Sequence, residues 1–202
     1  MFLLRPPSPA QIRAFLNISR SQQPNYPETG WTLDGRLPTW SRQGQHRVRV
    51  GQGAACWERA RAALEGGTMF QGWVQPLQRA EGYRSGDTVA LLVRHFGPFG
   101  RGQWGLYSLI ANRVLYRIDE PGRFGFGYGT LAGHLVRGEE RFLLEQDAAG
   151  VVWFELMTFS RAAVPLARLA QPFVQLAQRR GAAHYARMLV QAAGCFKIPP
   201  PI

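Results

Sequence analysis

The residues best equipped for chemistry fall in one stretch, Phe124 to Phe142, which reads FGFGYGTLAGHLVRGEERF. Tyr128, Thr130, His134, Glu139 and Glu140 are its polar groups, set among rings and glycines. An imidazole and a carboxylate can do general acid-base work near neutral pH once their pKa values are suitably shifted. Consecutive glutamates on a regular strand point to opposite faces, so only one of them can enter a pocket. The set Glu140, Phe142 and Leu144, against Glu139, Arg141 and Glu145, assigns that place to Glu140. An acid-base enzyme using Glu140 or His134 is one reading. The simpler one pairs Glu140 with a buried arginine or with backbone amides, and gives His134, which follows Gly133 at a strand end, a structural hydrogen bond.

Other groups carry weaker chemistry. Arg113, Arg141 and Arg161 could clamp a carboxylate or phosphate by bidentate bonds, although sheet-surface ion pairs are the commoner fate of such arginines. Ser160 lacks a GxSxG elbow, and a strand-end hydrogen bond suffices for it. The four histidines, at 46, 95, 134 and 184, show no i, i+4 pairing, so no metal site is expected. GFGYG has no helix after it, and GQG at 51–53 lacks the third glycine and the lysine of nucleotide loops, so no cofactor is expected. Cys56 and Cys195 sit in no CxxC spacing and are expected to remain thiols.

The elements that must position these groups can be read from the periodicity. Ser8-Pro9 starts a helix with serine as N-cap and proline at the first helical position. From Ser19 to Gln45 the pattern dissolves into an extended arm, and Tyr26, Trp31 and Trp40 suggest that the arm docks on the body. His46 to Val50 alternates as a strand, and a helix follows from about Ala54 to Glu65, stopped by Gly66-Gly67. Strands are expected at 69–77, 88–96, 112–119, 124–130, 138–146 and 151–161, with a hairpin turn at Asp147 to Gly150. In the third of these, Val114, Tyr116 and Ile118 share a face. In FGFGYGT one face is all glycine, which lets another group approach closely. From Ala162 to Ala192 the period becomes helical, with Leu166, Leu169, Phe173, Ala177, Gly181, His184 and Met188 as the stripe. Pro165 fits its first turn, Pro172 should kink or divide it, and the final IPPPI is read as a loose tail.

Bulk properties frame the function. The 202 residues, 46% of them apolar, make one domain with a real core. A charge of +11 invites nucleic-acid or acidic-membrane binding through arginine, but only Lys197 among 24 basic residues is lysine, and the Ala, Gly, Arg, Pro and Leu bias looks like a GC-rich bacterial genome. No recognised nucleic-acid motif accompanies the charge, so nucleic acid is a poor candidate partner. MFLLRPP is too short an apolar run for a signal peptide and no stretch is long enough for a membrane span, so a cytoplasmic protein is expected.

Strand, helix, several antiparallel strands and a long helix make an α+β domain, in which a curved antiparallel sheet wraps the C-terminal helix. This order resembles the helix-grip architecture of the START, polyketide-cyclase and birch-allergen superfamily. It implies residues 1–45 as a helix and arm packed on a grip domain at 46–202. The run FGFGYGTLAGHLVRGEERF is similar to the signature of the domain-of-unknown-function family nineteen-ninety. NYPETGWT, VRVGQG, GWV at 72–74, NRVLY at 112–116, TFSR at 158–161 and the late QRR helix extend the resemblance over nearly the whole chain. That family implies no established activity. The expectation is a pocket between sheet and helix for a small apolar or amphipathic molecule. Its expected lining is Tyr128, Thr130, His134, Glu140, Arg113, Tyr116, Phe126, Phe142, Phe154, Ser160 and Phe173. No constellation dictates a reaction, and the oligomeric state is not legible.

Overall fold

A computed structural model of the chain describes residues 1–72, 74–77, 82–96, 104–134, 136–163 and 171–195, with backbone alone at 96 and 171–179. Residues 97–103, Pro165, the Phe173 and Ala177 side chains and residues 196–202 lie outside the described residues. Helix α1 (Pro9–Ser21) begins as expected: Ser8 accepts from the Gln11 amide and the Gln11 side chain reaches back to the Ser8 amide, a capping box. Helix α2 (Ala54–Glu65) has the expected bounds and buries Cys56, Trp57, Ala60, Ala63 and Leu64. A third helix, α3 (Gln171–Ala193), closes the chain.

The strands are β1 (Phe2–Leu3), β2 (Arg42–Gln52), β3 (Val74–Pro76), β4 (Thr88–Phe96), β5 (Leu106–Glu120), β6 (Arg123–Thr130), β7 (Val136–Gln146) and β8 (Val151–Ala162). They form one antiparallel sheet in the order β2-β8-β7-β6-β5-β4-β3, with β1 paired to the start of β5. Short turns at 121–122 and 147–150 explain why β6 returns beside β5 and β8 beside β7. At Asp147 the side chain accepts from the amides of Ala149 and Val151, and Gly150 takes a φ of +74° to close the last hairpin. The sheet curls around α2 and α3, and a single core joins the helices to Val114, Phe124, Phe126, Phe142 and Phe154. This is the helix-grip arrangement.

Four details differ from the sequence reading. Strand β2 starts at Arg42 rather than His46, because the polar run Arg42 to Gln45 pairs with β8 at the exposed edge of the sheet and needs no apolar alternation. Among the described residues of the run 69–77, Val74–Pro76 is strand, whereas Met69 and Phe70 lie in the turn and bend after α2 and bury almost fully. Strand β8 runs to Ala162, one residue into the expected helix, and the helix is described over Gln171–Ala193; Leu166, Leu169 and the stretch joining Pro165 to Pro172 lie outside the described residues. The buried stripe of α3 runs through Gly181, Tyr185, Leu189 and Ala193, while His184 and Met188 stand on its flank.

The fifth difference matters most for the site. Val114 pairs with Tyr128, but Tyr116 pairs with Gly127, because Leu115 is an extra residue in a bulge. One added residue inverts side-chain parity beyond it. Val114 therefore faces the helices, whereas Tyr116 and Ile118 join Leu143 in a small cluster on the opposite, outer face. The same inversion turns Arg117 toward α2, where it lies over the Phe124 ring and donates to Glu65 at 2.8 Å. The glycine face of β6 is thus filled from outside. A Cβ on Gly127 would stand 2.2 Å from the Tyr116 ring, and one on Gly129 would stand 2.1 Å from the Tyr26 hydroxyl.

The two cysteines are joined as a disulfide, against the expectation of free thiols. Their Cα atoms are 5.8 Å apart, within normal disulfide reach. Packing of α2 along α3 brings the first turn of one helix to the end of the other. Gly51 permits it, since a Cβ there would fall 2.5 Å from the Cys195 Cβ.

Candidate ligand-binding site

Glu140 is the chemical centre of the helix-facing side. Alternation along β7 places it with Phe142 and Leu144, as the sequence predicts, and β6 and β8 set Tyr128 and Thr158 directly beside it. Tyr128 donates to Glu140 Oε2 at 2.6 Å, and no other described residue hydrogen-bonds the carboxyl. Rings surround the pair: Phe142 lies 5.4 Å from Tyr128, Phe70 lies 6.3 Å from it, and Tyr185 of α3 lies 5.8 Å from Phe142. Desolvation raises the Glu140 pKa, and the Tyr128 bond only partly opposes this. Burial, and then the nearby carboxylate, push Tyr128 and Tyr185 up as well, so both remain phenols. Yet Glu140 and Thr158 keep part of their surface open. A carboxyl ringed by aromatic groups, with one oxygen unbonded among the described residues, on a residue that is partly exposed, can accept or donate a hydrogen bond to a bound molecule.

Phe126, Phe142 and Phe154 share this face, but each is at most 1% exposed. Phe126 and Phe142 stack at 5.2 Å, and Tyr83 lies flat on Phe126 at 4.0 Å. These rings are packed core rather than the walls of an open cavity. Ser160 follows two residues after Thr158 on the same face of β8, opposite Gly138. The partly exposed positions on this face are Glu140, Thr158 and Ser160, whereas surface hollows lie elsewhere, one lined by Tyr26, Thr29, Gly86 and Arg113 and another by Glu65, Gly82, Arg84 and Arg117.

The remaining predicted residues stand elsewhere. Tyr116 is on the outer face because of the bulge. Arg113 pairs with Gly129 on that same outer face and donates to the carbonyls of Ser19, Arg20 and Gln22, closing the C-terminal end of α1. Thr130 donates to Asn25 at 2.6 Å and accepts from the Gly138 amide at 3.0 Å, so it ties the arm to the sheet. His134 accepts from the Val136 amide through Nδ1 at 3.2 Å, and burial lowers its pKa to about 4, helped by the nearby Met1 ammonium. A neutral imidazole with that bond is a structural group. Arg161 is exposed beside Arg137.

The outer face holds a polar network that the sequence did not disclose. Glu139 accepts from the Tyr26 hydroxyl at 3.0 Å, the Gly30 amide at 2.8 Å, and both the amide and hydroxyl of Thr32. The Thr32 hydrogen is spent on the carboxylate, so Tyr116 donates to the Thr32 oxygen at 2.5 Å. Beside it Arg141 donates to Glu155 at 2.5 Å and to the Thr32 carbonyl at 2.7 Å. The adjacent glutamates thus divide their work by parity: Glu139 anchors the arm and Glu140 faces the grip. Tyr185 and Thr158 were also missed, since nothing local distinguishes a ring on a long helix, or a threonine in a strand, from ordinary core.

Curled sheet, helical grip and inward carboxyl define an α+β helix-grip protein. The chain belongs to the family described as "Domain of unknown function (DUF1990)", which matches residues 25–188. It is 70% identical over 198 residues to a UPF0548 protein of Deinococcus radiodurans, covering 96% of this chain and 100% of that one. A UPF0548 protein of Arabidopsis thaliana is 36% identical over 148 residues, covering 68% and 66% respectively. Among solved structures, a hypothetical protein from Helicobacter pylori matches with a TM-score of 0.52 at 14% identity, over 85% of this chain and 96% of that one. The Zhui aromatase/cyclase of a Streptomyces species gives a TM-score of 0.46 at 14% identity, over 76% and 94%.

Proposed function

We propose that the protein binds a small amphipathic molecule at the Glu140 end of the grip. The polar end of that molecule meets Glu140 and Tyr128, and its apolar part lies against Tyr185 and the neighbouring rings. The carrying observation is Glu140, a partly exposed residue whose carboxyl lies inside an aromatic surround with one oxygen unbonded among the described residues. Such a mixture of apolar walls and few polar groups is what small-molecule sites are made of. Native mass spectrometry of protein purified from its own host tests the reading. A co-purifying small molecule that is lost in Glu140→Ala but kept in Arg113→Lys is expected; repeated isolation of ligand-free protein, with no uptake of fluorescent fatty acids or aromatic probes, rejects it.

A second reading follows from the raised pKa of Glu140. A carboxyl whose pKa is raised by burial holds its proton more tightly than a free one and can deliver it, as the general acid of a cyclase or hydrolase does. Conversion of the co-purifying molecule by wild-type protein but not by Glu140→Gln, with binding retained in the variant, distinguishes catalysis from binding alone. For the compartment we infer the cytoplasm, where thiol reductants would open the Cys56–Cys195 bond in part of the population. Alkylation in rapidly quenched cells, which marks only open thiols, tests this; full protection of both cysteines argues for an oxidising location.

A further inference from the structure

Exposed apolar side chains are not spread evenly. Of the six large ones among the described residues, Met1, Phe2, Leu4 and Trp104 are 46%, 49%, 62% and 62% exposed, and all four lie at one corner. Pairing assembles it. Phe2 lies opposite Ser108, the Leu4 carbonyl accepts from the Gly105 amide at 3.1 Å, and the Phe2 ring stands 6.0 Å from His95. The corner is held firmly, because the Leu109 amide donates to the Met1 carbonyl at 2.9 Å and the Met1 ammonium donates back to the Leu109 carbonyl at 2.9 Å. Arg5 stacks its guanidinium 4.2 Å above the Trp104 ring.

A second observation is independent of exposure. Residues 1–27 and 88–118, which form β1, α1, β4 and most of β5, contain three and four arginines and no aspartate or glutamate. All 13 acids lie in other parts of the chain. Of these arginines, Arg5 and Arg94 belong to the corner itself, Arg5 over Trp104 and Arg94 over the Tyr107 ring at 5.8 Å, whereas Arg117 pairs with Glu65 and Asp119 at the far end of β5. An indole beside an arginine, with leucine, phenylalanine and methionine side chains around them, matches the interface of a bilayer: rings and aliphatic tips enter the headgroup boundary while guanidinium groups meet lipid phosphates.

We propose that this corner docks the protein on an anionic lipid surface. The proposal is separate from the ligand site, since Glu140 and Tyr128 take no part in it. Co-sedimentation of the full chain with vesicles of phosphatidylcholine, with and without phosphatidylglycerol, tests it. Binding to the acidic vesicles should exceed binding to neutral ones by roughly tenfold or more and should fall with added salt. Arg5→Glu and Trp104→Ser should each weaken it by roughly tenfold. Leu33→Ser, which alters an exposed apolar residue beside Asp34 on the arm, should leave it unchanged, and circular dichroism checks that every variant folds. Equal binding to both vesicle types, no binding to either, or an unchanged Trp104→Ser variant overturns the proposal. So does tighter binding of the same residues to duplex DNA than to acidic vesicles, which would make the corner a nucleic-acid surface.

Discussion

At the scale of single residues, the adjacent pair Glu139 and Glu140 carries opposite electrostatic roles. Glu140 has a raised pKa through desolvation, so its stabilising contribution is complete below its ordinary value of 4.5 and is lost as pH rises through the folded value. Glu140→Gln keeps an acceptor for Tyr128 and removes the charge. It should therefore raise the melting temperature at pH 7 to 8, with the gain vanishing below about pH 4.5. A thermal-melt series against pH checks this. His134 runs the other way. Its folded pKa is lowered to about 4 from 6.5, so its contribution is complete above 6.5 and is lost as pH falls through that window. His134→Gln should flatten the melting temperature between pH 6.5 and 4. Glu139→Ala strips the acceptor from the buried amide and hydroxyl of Thr32, and roughly 3 kcal/mol of stability should go with it in urea titrations.

At the scale of elements, legibility followed the range of the signal. Helix α2 and strand β4 could be bounded from local pattern, because a glycine stop and strict alternation are short-range facts. The cap of α1 was equally plain in Ser8-Pro9. The bulge at Leu115 was not, since one extra residue leaves no mark in composition and is visible only in what faces what. It moved Tyr116 out of the expected lining and brought Arg117 in toward α2. Deleting Leu115 would remove the bulge yet leave Tyr116 opposite Gly127 and Arg117 opposite Phe126, so both side chains keep their faces. Proteolysis within the arm at 22–41 should therefore stay unchanged, because Thr32 keeps Tyr116, and any fall in melting temperature reports only the lost packing of Leu115. Gly127→Ala puts a methyl group against the pinned Tyr116 ring and should cost roughly 1 to 3 kcal/mol by urea titration. The all-glycine face announced a close approach, and its occupants, Tyr26 and Tyr116, could be named only from coordinates.

At the scale of the whole molecule, the grip is bound by a long-range covalent clip that local pattern reading could not foresee. Pairing of residues 139 apart depends on how α2 and α3 pack, not on spacing. In the chain-entropy account a closed loop of that size stabilises by up to about 5 kcal/mol, so reduction, or Cys56→Ser, should lower the urea midpoint markedly. Agreement between the reduced wild type and the Cys195→Ser variant would show that the effect belongs to the bond itself. The closed loop contains β3 to β8, both hairpin ends and all of α3. A protease that nicks any single site within it therefore releases no fragment. Nicked and intact chains should run as one covalent body without reductant and separate into two pieces only when the sulfurs are freed.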